Sequence, residues 1–301
     1  MIQDFTNLKV LLIGDFMLDH YLIGESIRQS PEAPVPVIIP KEDIYVPGGA
    51  GNVAMNLSAL GVKIHCIGVV GNDKYGKKII SFLENQGHDA SGIEILDNHQ
   101  TTLKRRILSN SIQVARIDLE KKIDWHPDLN SISLNDFDVC IISDYDKGVV
   151  SNINKIDTKT IILDPKKEDF SFYKYANILT PNLFELKKAT HCDINNDSSI
   201  ITSCQKLIND YKFDFIVAKK GIRGMTIIGK EDFVYNIQAL KIDNPDVTGA
   251  GDTVIAALSI AYAKTGDIIF ASEFANVAAG LVVGKSGTAT TSIDEIQKKL
   301  N

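Results

Sequence analysis

Short apolar runs recur along the chain, and a glycine or a polar residue follows most of them. Residues 9–14 form a continuous apolar run that ends in glycine, which is typical of a strand buried on both faces of a parallel sheet. Runs of the same kind occupy residues 63–69, 139–143, 160–164, 178–180 and 215–218. Helical patterns are predicted over residues 47–60, 75–85, 251–263, 272–283 and 293–300. This alternation predicts an α/β fold with three layers and a doubly wound, mostly parallel sheet.

Two stretches depart from this alternation and predict a small β-sheet lid. Four prolines exclude a helix over residues 17–40, and residues 35–39 favour extended chain. Residues 101–108 and 112–119 flank the turn Ser109-Asn-Ser111 and read as a hairpin. We therefore expect one domain over residues 1–301, with lid segments inserted at about 16–46 and 93–119.

Composition narrows the classes of partner. The 301 residues carry a formal net charge of −6 and no basic patch, which argues against a nucleic-acid partner. No apolar run is long enough to span a membrane, and the first residues lack a secretory signal, so a cytoplasmic protein with no membrane partner is expected. The four cysteines and six histidines have no metal-ligand spacing, and the cysteines are expected to be buried thiols.

The most informative motif is Asp246-Val-Thr-Gly-Ala-Gly-Asp252, which an apolar helical run follows. The small residues Gly249, Ala250 and Gly251 allow backbone N–H groups at a helix start to converge on an anion. Asp252 falls in the first helical turn, where a carboxylate can take a proton from a hydroxyl beside that anion. The motif therefore predicts phosphoryl transfer, with an ordinary glycine-containing helix start as the alternative.

Polar residues that follow the predicted strands are the other candidates for chemistry. In open α/β sheets, ligands bind beyond the carboxyl ends of the strands. The residues in such positions are Asp15, Asp144, Lys147, Lys166, Asn182, Glu185 and Lys219.

Several motifs now agree with one family. Gly14-Asp15 and the segments 47–52, 180–185 and 246–252 occur in the order seen in ribokinase-like (PfkB) carbohydrate kinases, and the resemblance covers almost the whole chain. More narrowly, segments 14–19, 30–37, 103–119, 143–148, 163–166 and 246–255 resemble the kinases of D-glycero-β-D-manno-heptose 7-phosphate.

This resemblance implies an activity. It implies that ATP phosphorylates the anomeric hydroxyl of the heptose to give heptose 1,7-bisphosphate, a step towards ADP-heptose and the lipopolysaccharide core. In bifunctional versions a nucleotidyltransferase domain follows the kinase, and residues 1–301 are expected to hold the kinase domain without it.

The resemblance also assigns roles to residues. It implies that Asp252 is the catalytic base and that Gly249, Ala250 and Gly251 form its anion hole. Sugar contacts are expected from Asp15, Gly48, Gly49, Asn52 and Asp144. Contacts to the nucleotide are expected from Asn182, Glu185, Lys219, Gly221, Gly224, Thr248, Asn276 and Gly280.

Mg²⁺ is the expected metal. The resemblance implies that Asn182 and Glu185, three residues apart on one helix face, help to hold it, and they are expected to do so through water because Mg²⁺ keeps much of its hydration shell. A monovalent cation is a further candidate cofactor. The Gly48-Gly49 pair has an open alternative, which is a tight turn before a helix.

A phosphate on the sugar would explain a group of cations. Lys104, Arg106 and Arg116 alternate on the predicted hairpin, and Lys147 and Lys166 follow strands. We expect Lys104, Arg106 or Lys166 to bind this phosphate, with a solvated lid face as the alternative for the hairpin cations. The apolar side chains of the lid also predict a homodimer in which two lids cover each other.

Three other functions remain open. Another PfkB sugar or sugar-phosphate kinase would share every motif above. A non-catalytic sensor of nucleotide or sugar is disfavoured because Asp252 is present. A dinucleotide oxidoreductase would need Gly-x-Gly-x-x-Gly after the first strand, and residues 14–19 do not provide it.

Overall fold

The computed structural model of the protein describes residues 4–110, 112–127, 129, 132–150, 158–285 and 287–300. Within these residues one large sheet is built from nine strands, numbered in chain order: β1 (Val10–Gly14), β4 (Ile64–Gly71), β5 (Asp89–Leu96), β8 (Val139–Ser143), β9 (Ile161–Asp164), β10 (Ile178–Leu179), β11 (Phe215–Lys219), β12 (Met225–Gly229) and β13 (Val234–Ile237). Their spatial order is β13-β12-β11-β10-β9-β8-β1-β4-β5.

The predicted fold class is confirmed by the pairing of these strands. Every neighbouring pair from β5 to β11 is parallel, and β12 and β13 form an antiparallel edge. A parallel sheet needs apolar side chains on both faces, which explains why its strands read as unbroken apolar runs. In β1, Val10 and Leu12 enter one core cluster, whereas Leu11 and Ile13 enter the other.

Helices cover both faces of this sheet. One face packs against α1 (Ala50–Ala59), α2 (Lys74–Asn85), α5 (Ala250–Thr265), α6 (Ile268–Val283) and α7 (Ile293–Leu300). The other packs against α3 (Leu183–Thr190) and α4 (Asp197–Tyr211). In the described part of the chain, no helix is both long and apolar enough to cross a membrane.

The lid is a second sheet of four strands. It consists of β2 (Phe16–Gln29), β3 (Pro36–Gly49), β6 (Leu103–Ser109) and β7 (Ile112–Leu119), in the order β3-β2-β6-β7. β2 pairs in parallel with β6 and antiparallel with β3. β2 begins two residues after β1 ends, so the lid is continuous with the large sheet at this point.

Two boundaries in the sequence prediction are wrong. Residues 93–96 belong to β5 of the large sheet, so the second lid segment begins after them. Residues 47–49 close β3, so the lid extends beyond residue 46 and the helix begins only at Ala50. The pattern also gave no hint of β12, β13 or α4, and Ser111 of the predicted turn lies outside the described residues.

The end of β1 generates a stability prediction. A Cβ atom at Gly14 would lie 2.5 Å from the carbonyl oxygen of Ser143 and 2.9 Å from Cβ of Ala50. Because backbone atoms are among the obstacles, Gly14→Ala should lower the free energy of unfolding by about 1–3 kcal/mol. Gly284→Ala is the control, since Gly284 has φ −80° and its Cβ would meet nothing closer than 3.6 Å. Denaturant unfolding that gives both variants the same stability would contradict the prediction.

Candidate active site

Asp252 lies at the centre of the residues predicted to carry the chemistry. It occupies the first turn of α5 and is 5% exposed. Its Oδ1 accepts a hydrogen bond from the Tyr145 hydroxyl at 2.6 Å, and its Oδ2 accepts one from Nδ2 of Asn52 at 2.7 Å. Burial raises the pKa of Asp252 to about 6, although both hydrogen bonds favour the charged form and act in the opposite direction. The carboxyl group is therefore ionised at neutral pH.

The predicted anion hole is the N-terminus of α5. Gly249 is the N-cap, with φ +76°, in the left-handed region that favours glycine. Its Cβ would lie 2.6 Å from Nδ2 of Asn52, so a larger residue would displace the amide that holds Asp252. The N–H of Ala250 donates to the carbonyl of Val247 at 3.2 Å and closes the turn. The next N–H groups of a helix start have no carbonyl partner within the helix, and they are available to an anion.

Lys219 lies beside this helix start. A Cβ on Gly251 would be 3.4 Å from Nζ of Lys219 and 3.7 Å from Oδ2 of Asp164. Lys219 forms an ion pair with Asp164, which also accepts a hydrogen bond from Thr180 at 2.7 Å. The structure thus brings together the predicted residues Lys219, Gly251 and Asp252, and it adds Asp164.

Asn182 and Glu185 have a role in helix α3 that the sequence analysis did not predict. Asn182 is the N-cap of α3 and Glu185 lies in its first turn, so the pair occupies the start of the helix. The side chain of Asn182 accepts from the N–H of Glu185 at 2.9 Å, and Glu185 Oε2 accepts from the N–H of Asn182 at 2.8 Å. This is a capping box, in which each side chain satisfies the backbone of the other. The other oxygen of Glu185 lies 3.3 Å from Nζ of Lys166.

Gly48 and Gly49, which were predicted to contact the sugar, lie where two segments of the chain approach each other closely. Gly48 and Gly49 end β3 opposite Met17 and Phe16 of β2. A Cβ on Gly48 would lie 2.4 Å from Oδ2 of Asp19, and one on Gly49 would lie 2.5 Å from a backbone carbonyl. Gly49 also has φ +57°. Gly48 and Gly49 thus form a strand end that packs against a buried carboxylate and not the alternative tight turn, and their contact with a sugar stays a prediction.

Asp15 and Asp144 anchor a loop. Asp15 accepts hydrogen bonds from the backbone N–H groups of Tyr145 at 2.8 Å, Lys147 at 3.1 Å and Val149 at 3.3 Å. Burial and the neighbouring charge of Asp144 raise the pKa of Asp15 to about 6. Asp144 in turn accepts from the Tyr173 hydroxyl at 2.5 Å and from Lys167 at 3.1 Å. Both carboxylates thus hold residues 144–149 in place, and their contact with a sugar stays a prediction.

Four of the five cations proposed for a phosphate are already paired. Arg106 pairs with Asp19, Arg116 with Asp118, Lys147 with Glu120 and Lys166 with Glu185. Among the described residues, Lys104 belongs to none of the ion pairs. Its Nζ lies 5.2 Å from the ring centroid of Tyr145. Burial lowers the pKa of Lys104, and the nearby Arg116 and Lys147 act in the same direction.

The residues predicted for the nucleotide side have packing roles. Asn276 donates to the carbonyl of Gln238 at 2.9 Å, and a Cβ on Gly280 would lie 2.6 Å from Leu240. Gly224 has φ +85° and its Cβ would lie 2.0 Å from a carbonyl oxygen, whereas Gly221 has φ +59° and open space around it.

The N–H of Thr248 donates to Asp246 at 3.0 Å, and Asp246 also accepts from the N–H of Gly287 at 2.8 Å. Contact of these residues with a nucleotide stays a prediction.

Sequence reasoning did not select Asp19, Asp164 and Lys167 as site residues. Asp164 ends β9, so the strand-end rule that selected Asp15 would also have selected it. Asp19 lies within β2 and therefore carries no such signal. Tyr145 was not selected as a site residue either, since its bond to Asp252 joins residues 107 positions apart.

Known proteins resemble this chain in sequence and in structure. A model of the pfkB family carbohydrate kinases matches residues 7–295. The bifunctional protein HldE of Helicobacter acinonychis is 39% identical over 97% of this chain and 66% of its own length. HldE of Coxiella burnetii is 36% identical over 99% of this chain and 64% of its own length. The chain therefore spans just under two thirds of the length of these curated relatives.

Solved structures share the fold. Ribokinase from Arabidopsis thaliana, complexed with ribose and ATP, superposes with a TM-score of 0.80 at 20% identity and covers 98% of this chain and 99% of its own. Phosphofructokinase-2 from Escherichia coli, in complex with potassium, has a TM-score of 0.77 at 18% identity, with 97% of each chain covered. At these identities the likeness concerns the fold alone.

Proposed function

Since the chain belongs to the pfkB family of carbohydrate kinases, we propose that it transfers the γ-phosphoryl group of ATP to the anomeric hydroxyl of D-glycero-β-D-manno-heptose 7-phosphate. The product is heptose 1,7-bisphosphate, which serves the synthesis of ADP-heptose and the lipopolysaccharide core. Support for the heptose comes from the resemblance of segments 30–37, 103–119, 143–148 and 163–166 and from the similarity to HldE. Support for ATP comes from the ribokinase complex.

The observation that carries the proposal is the position of Asp252 at the N-terminus of α5. An ionised carboxylate there can accept the proton of the attacking hydroxyl. The ammonium of Lys219 lies beside the first turn of α5. Together with the first N–H groups of α5, it stabilises charge on the transferring phosphoryl group. Base and anion hole are thus within one helical turn of each other, as an in-line transfer requires.

Mg²⁺ fits the carboxylates beside Lys219. Asp164 and Glu185 lie close enough for the charge of Asp164 to contribute to the raised pKa of Glu185. No group of three or more histidine, cysteine, aspartate or glutamate residues in the described ranges makes a direct metal site. Asp164, Glu185 and Asn182 would therefore hold the ion through water, and the bound ion would offset charge between the β- and γ-phosphates. A monovalent cation is a further candidate, in line with the potassium in phosphofructokinase-2.

Lys104 is our candidate for binding the distal phosphate of the substrate. It lies on β6, over the ring of Tyr145, whose hydroxyl reaches the base. An anion can approach Lys104 without breaking an ion pair, whereas Arg106 and Lys166 would each have to leave a carboxylate. A partly desolvated ammonium also binds a dianion more strongly than one in water.

The lid is our candidate for a dimer interface. Seven of its apolar side chains are exposed, namely Ile27, Val35, Ile39, Ile44, Ile112, Val114 and Ile117. This is more apolar surface than a small sheet usually leaves in water. A second copy related by two-fold symmetry would cover both lids at once.

The base assignment predicts the behaviour of Asp252→Asn. The substitution preserves the size of the side chain and removes the base, so kcat should fall by roughly 10² to 10⁴ while the dissociation constant of ATP changes little. In the unsubstituted protein the activity should rise with pH through about 6, because the carboxyl group must be ionised and its pKa is about 6. Asp210→Asn, at an exposed position of α4, is the control. Turnover of Asp252→Asn near that of the control would exclude this base.

The phosphate assignment predicts a coupling between Lys104 and the substrate. Lys104→Met should reduce kcat/KM for heptose 7-phosphate by about tenfold to a hundredfold, since a charge-assisted hydrogen bond contributes roughly 1.5–3 kcal/mol. For the unphosphorylated heptose it should change kcat/KM little.

Lys78→Met is the matched control for this measurement, because Lys78 also lies over a tyrosine ring, at 4.7 Å from that of Tyr45. The same comparison for Arg106→Ala and Lys166→Ala tests the other two candidates. No coupling at any of the three residues would show that the phosphate binds elsewhere. Equal turnover of heptose and heptose 7-phosphate would instead favour a general sugar kinase.

The proposed dimer predicts that a substitution in the lid changes the mass of the protein in solution from that of a dimer to that of a monomer. Sedimentation at micromolar concentration should give a dimer for the unsubstituted protein and a monomer for Val114→Glu, because a buried carboxylate without a partner opposes association. Ile95→Glu, at an exposed position of β5 in the large sheet, should remain dimeric. A monomer before any substitution would contradict the proposal.

A further inference from the structure

Tyr145 makes three contacts, and one of them is to the proposed base. Its hydroxyl donates to Oδ1 of Asp252 at 2.6 Å, and its backbone N–H donates to Asp15 at 2.8 Å. The ammonium of Lys104 lies 5.2 Å from the centroid of its ring. The backbone of Tyr145 is thus fixed by a buried carboxylate, and its hydroxyl is aimed at another.

From this geometry we propose that Tyr145 is a positioning residue that fixes the orientation of the Asp252 carboxylate and sets its proton affinity, with Asn52 as its partner. The proposal rests on the proposed function, because it concerns the base of that reaction.

The two donors come from separate parts of the fold. Tyr145 follows β8, whereas Asn52 belongs to α1. Each holds one oxygen of Asp252, so the carboxylate cannot rotate about its own bonds without losing a hydrogen bond. Asn52 is itself supported, because Nδ2 of Asn56 donates to its carbonyl at 2.9 Å and Oδ1 of Asn56 accepts from the Thr253 hydroxyl at 2.9 Å. The remaining lone pairs of Asp252 are left for the substrate hydroxyl.

The charged groups around Asp252 give the direction of the effect. Burial and Asp164, at the end of β9, disfavour the ionised form, whereas Lys219, at the end of β11, favours it. The hydrogen bonds from Tyr145 and Asn52 also favour the ionised form. The pKa of the Tyr145 hydroxyl is raised well above its usual value by burial, so this group stays a donor at every pH of interest. Removal of the hydroxyl should therefore raise the pKa of Asp252.

The test is Tyr145→Phe, with Tyr175→Phe as the matched control. Tyr175 also has a buried hydroxyl, but among the described residues that hydroxyl has no hydrogen-bond partner. The pKa of Asp252 is measured by ¹³C NMR of labelled aspartate in the protein without substrate, with the resonance assigned by Asp252→Asn. We expect Tyr145→Phe to raise this pKa by about one unit, the size of one hydrogen bond to a charged group, and the control to leave it unchanged.

Kinetics supply the second measurement. The acidic limb of kcat/KM should move to higher pH by the same amount, so the loss in Tyr145→Phe is about fivefold at pH 6 and smaller at pH 8. Asn52→Leu removes the other donor at similar volume and should also raise the pKa of Asp252. An unchanged pKa of Asp252 in folded Tyr145→Phe overturns the proposal, even if activity falls. Because the NMR titration needs no substrate, a protein that does not phosphorylate heptose 7-phosphate would overturn the proposed function and leave this result standing.

Discussion

The arrangement of the site depends on a carboxylate that has to be ionised although it is buried. Taking Asp252 out of water favours its neutral form, as does the charge of Asp164, and four features around it act against that cost. Tyr145 and Asn52 donate to its two oxygens, Lys219 supplies a positive charge nearby, and the N-terminus of α5 adds the favourable end of a helix dipole. A carboxylate held in this way is poised near neutral pH and points in one direction, which is what the proposed proton transfer to it requires.

The parallel sheet explains how residues so distant in sequence reach this carboxylate. The carboxyl ends of β1, β8, β9 and β11 lie at one edge, and each strand has a charged residue either as its last residue or directly after it. These charges then neutralise or restrain one another. Asp15 fixes the loop after β8, Asp164 pairs with Lys219, and Glu185 pairs with Lys166. The edge of the sheet is thus a network in which few groups are left to meet a ligand.

The sequence predicted the local geometry around Asp252, because residues 246–252 are contiguous and the glycines, the helix start and Asp252 follow one another in a single short motif. A spacing alone is less informative at Asn182 and Glu185, because their spacing is that of a capping box as well as that of a metal site. Sequence patterns also did not predict contacts between distant segments. Whether Lys104 or Arg106 is paired depends on Asp19 in a neighbouring strand, and no local pattern records that neighbour.

The way in which the lid is attached to the large sheet affects how such a protein can evolve. The lid leaves the large sheet between Gly14 and Phe16 and returns between Gly49 and Ala50, and the N–H of Ala50 donates to the carbonyl of Asp15 at 3.1 Å across this junction. The lid strands β2 and β3 are 14 residues each, and their exposed far ends meet the turn at residues 30–35. Insertions or deletions at that turn alter the outer surface, while the junction and the carboxylates beside it stay as they are. Selection on assembly and selection on chemistry can therefore proceed in different parts of one inserted sheet.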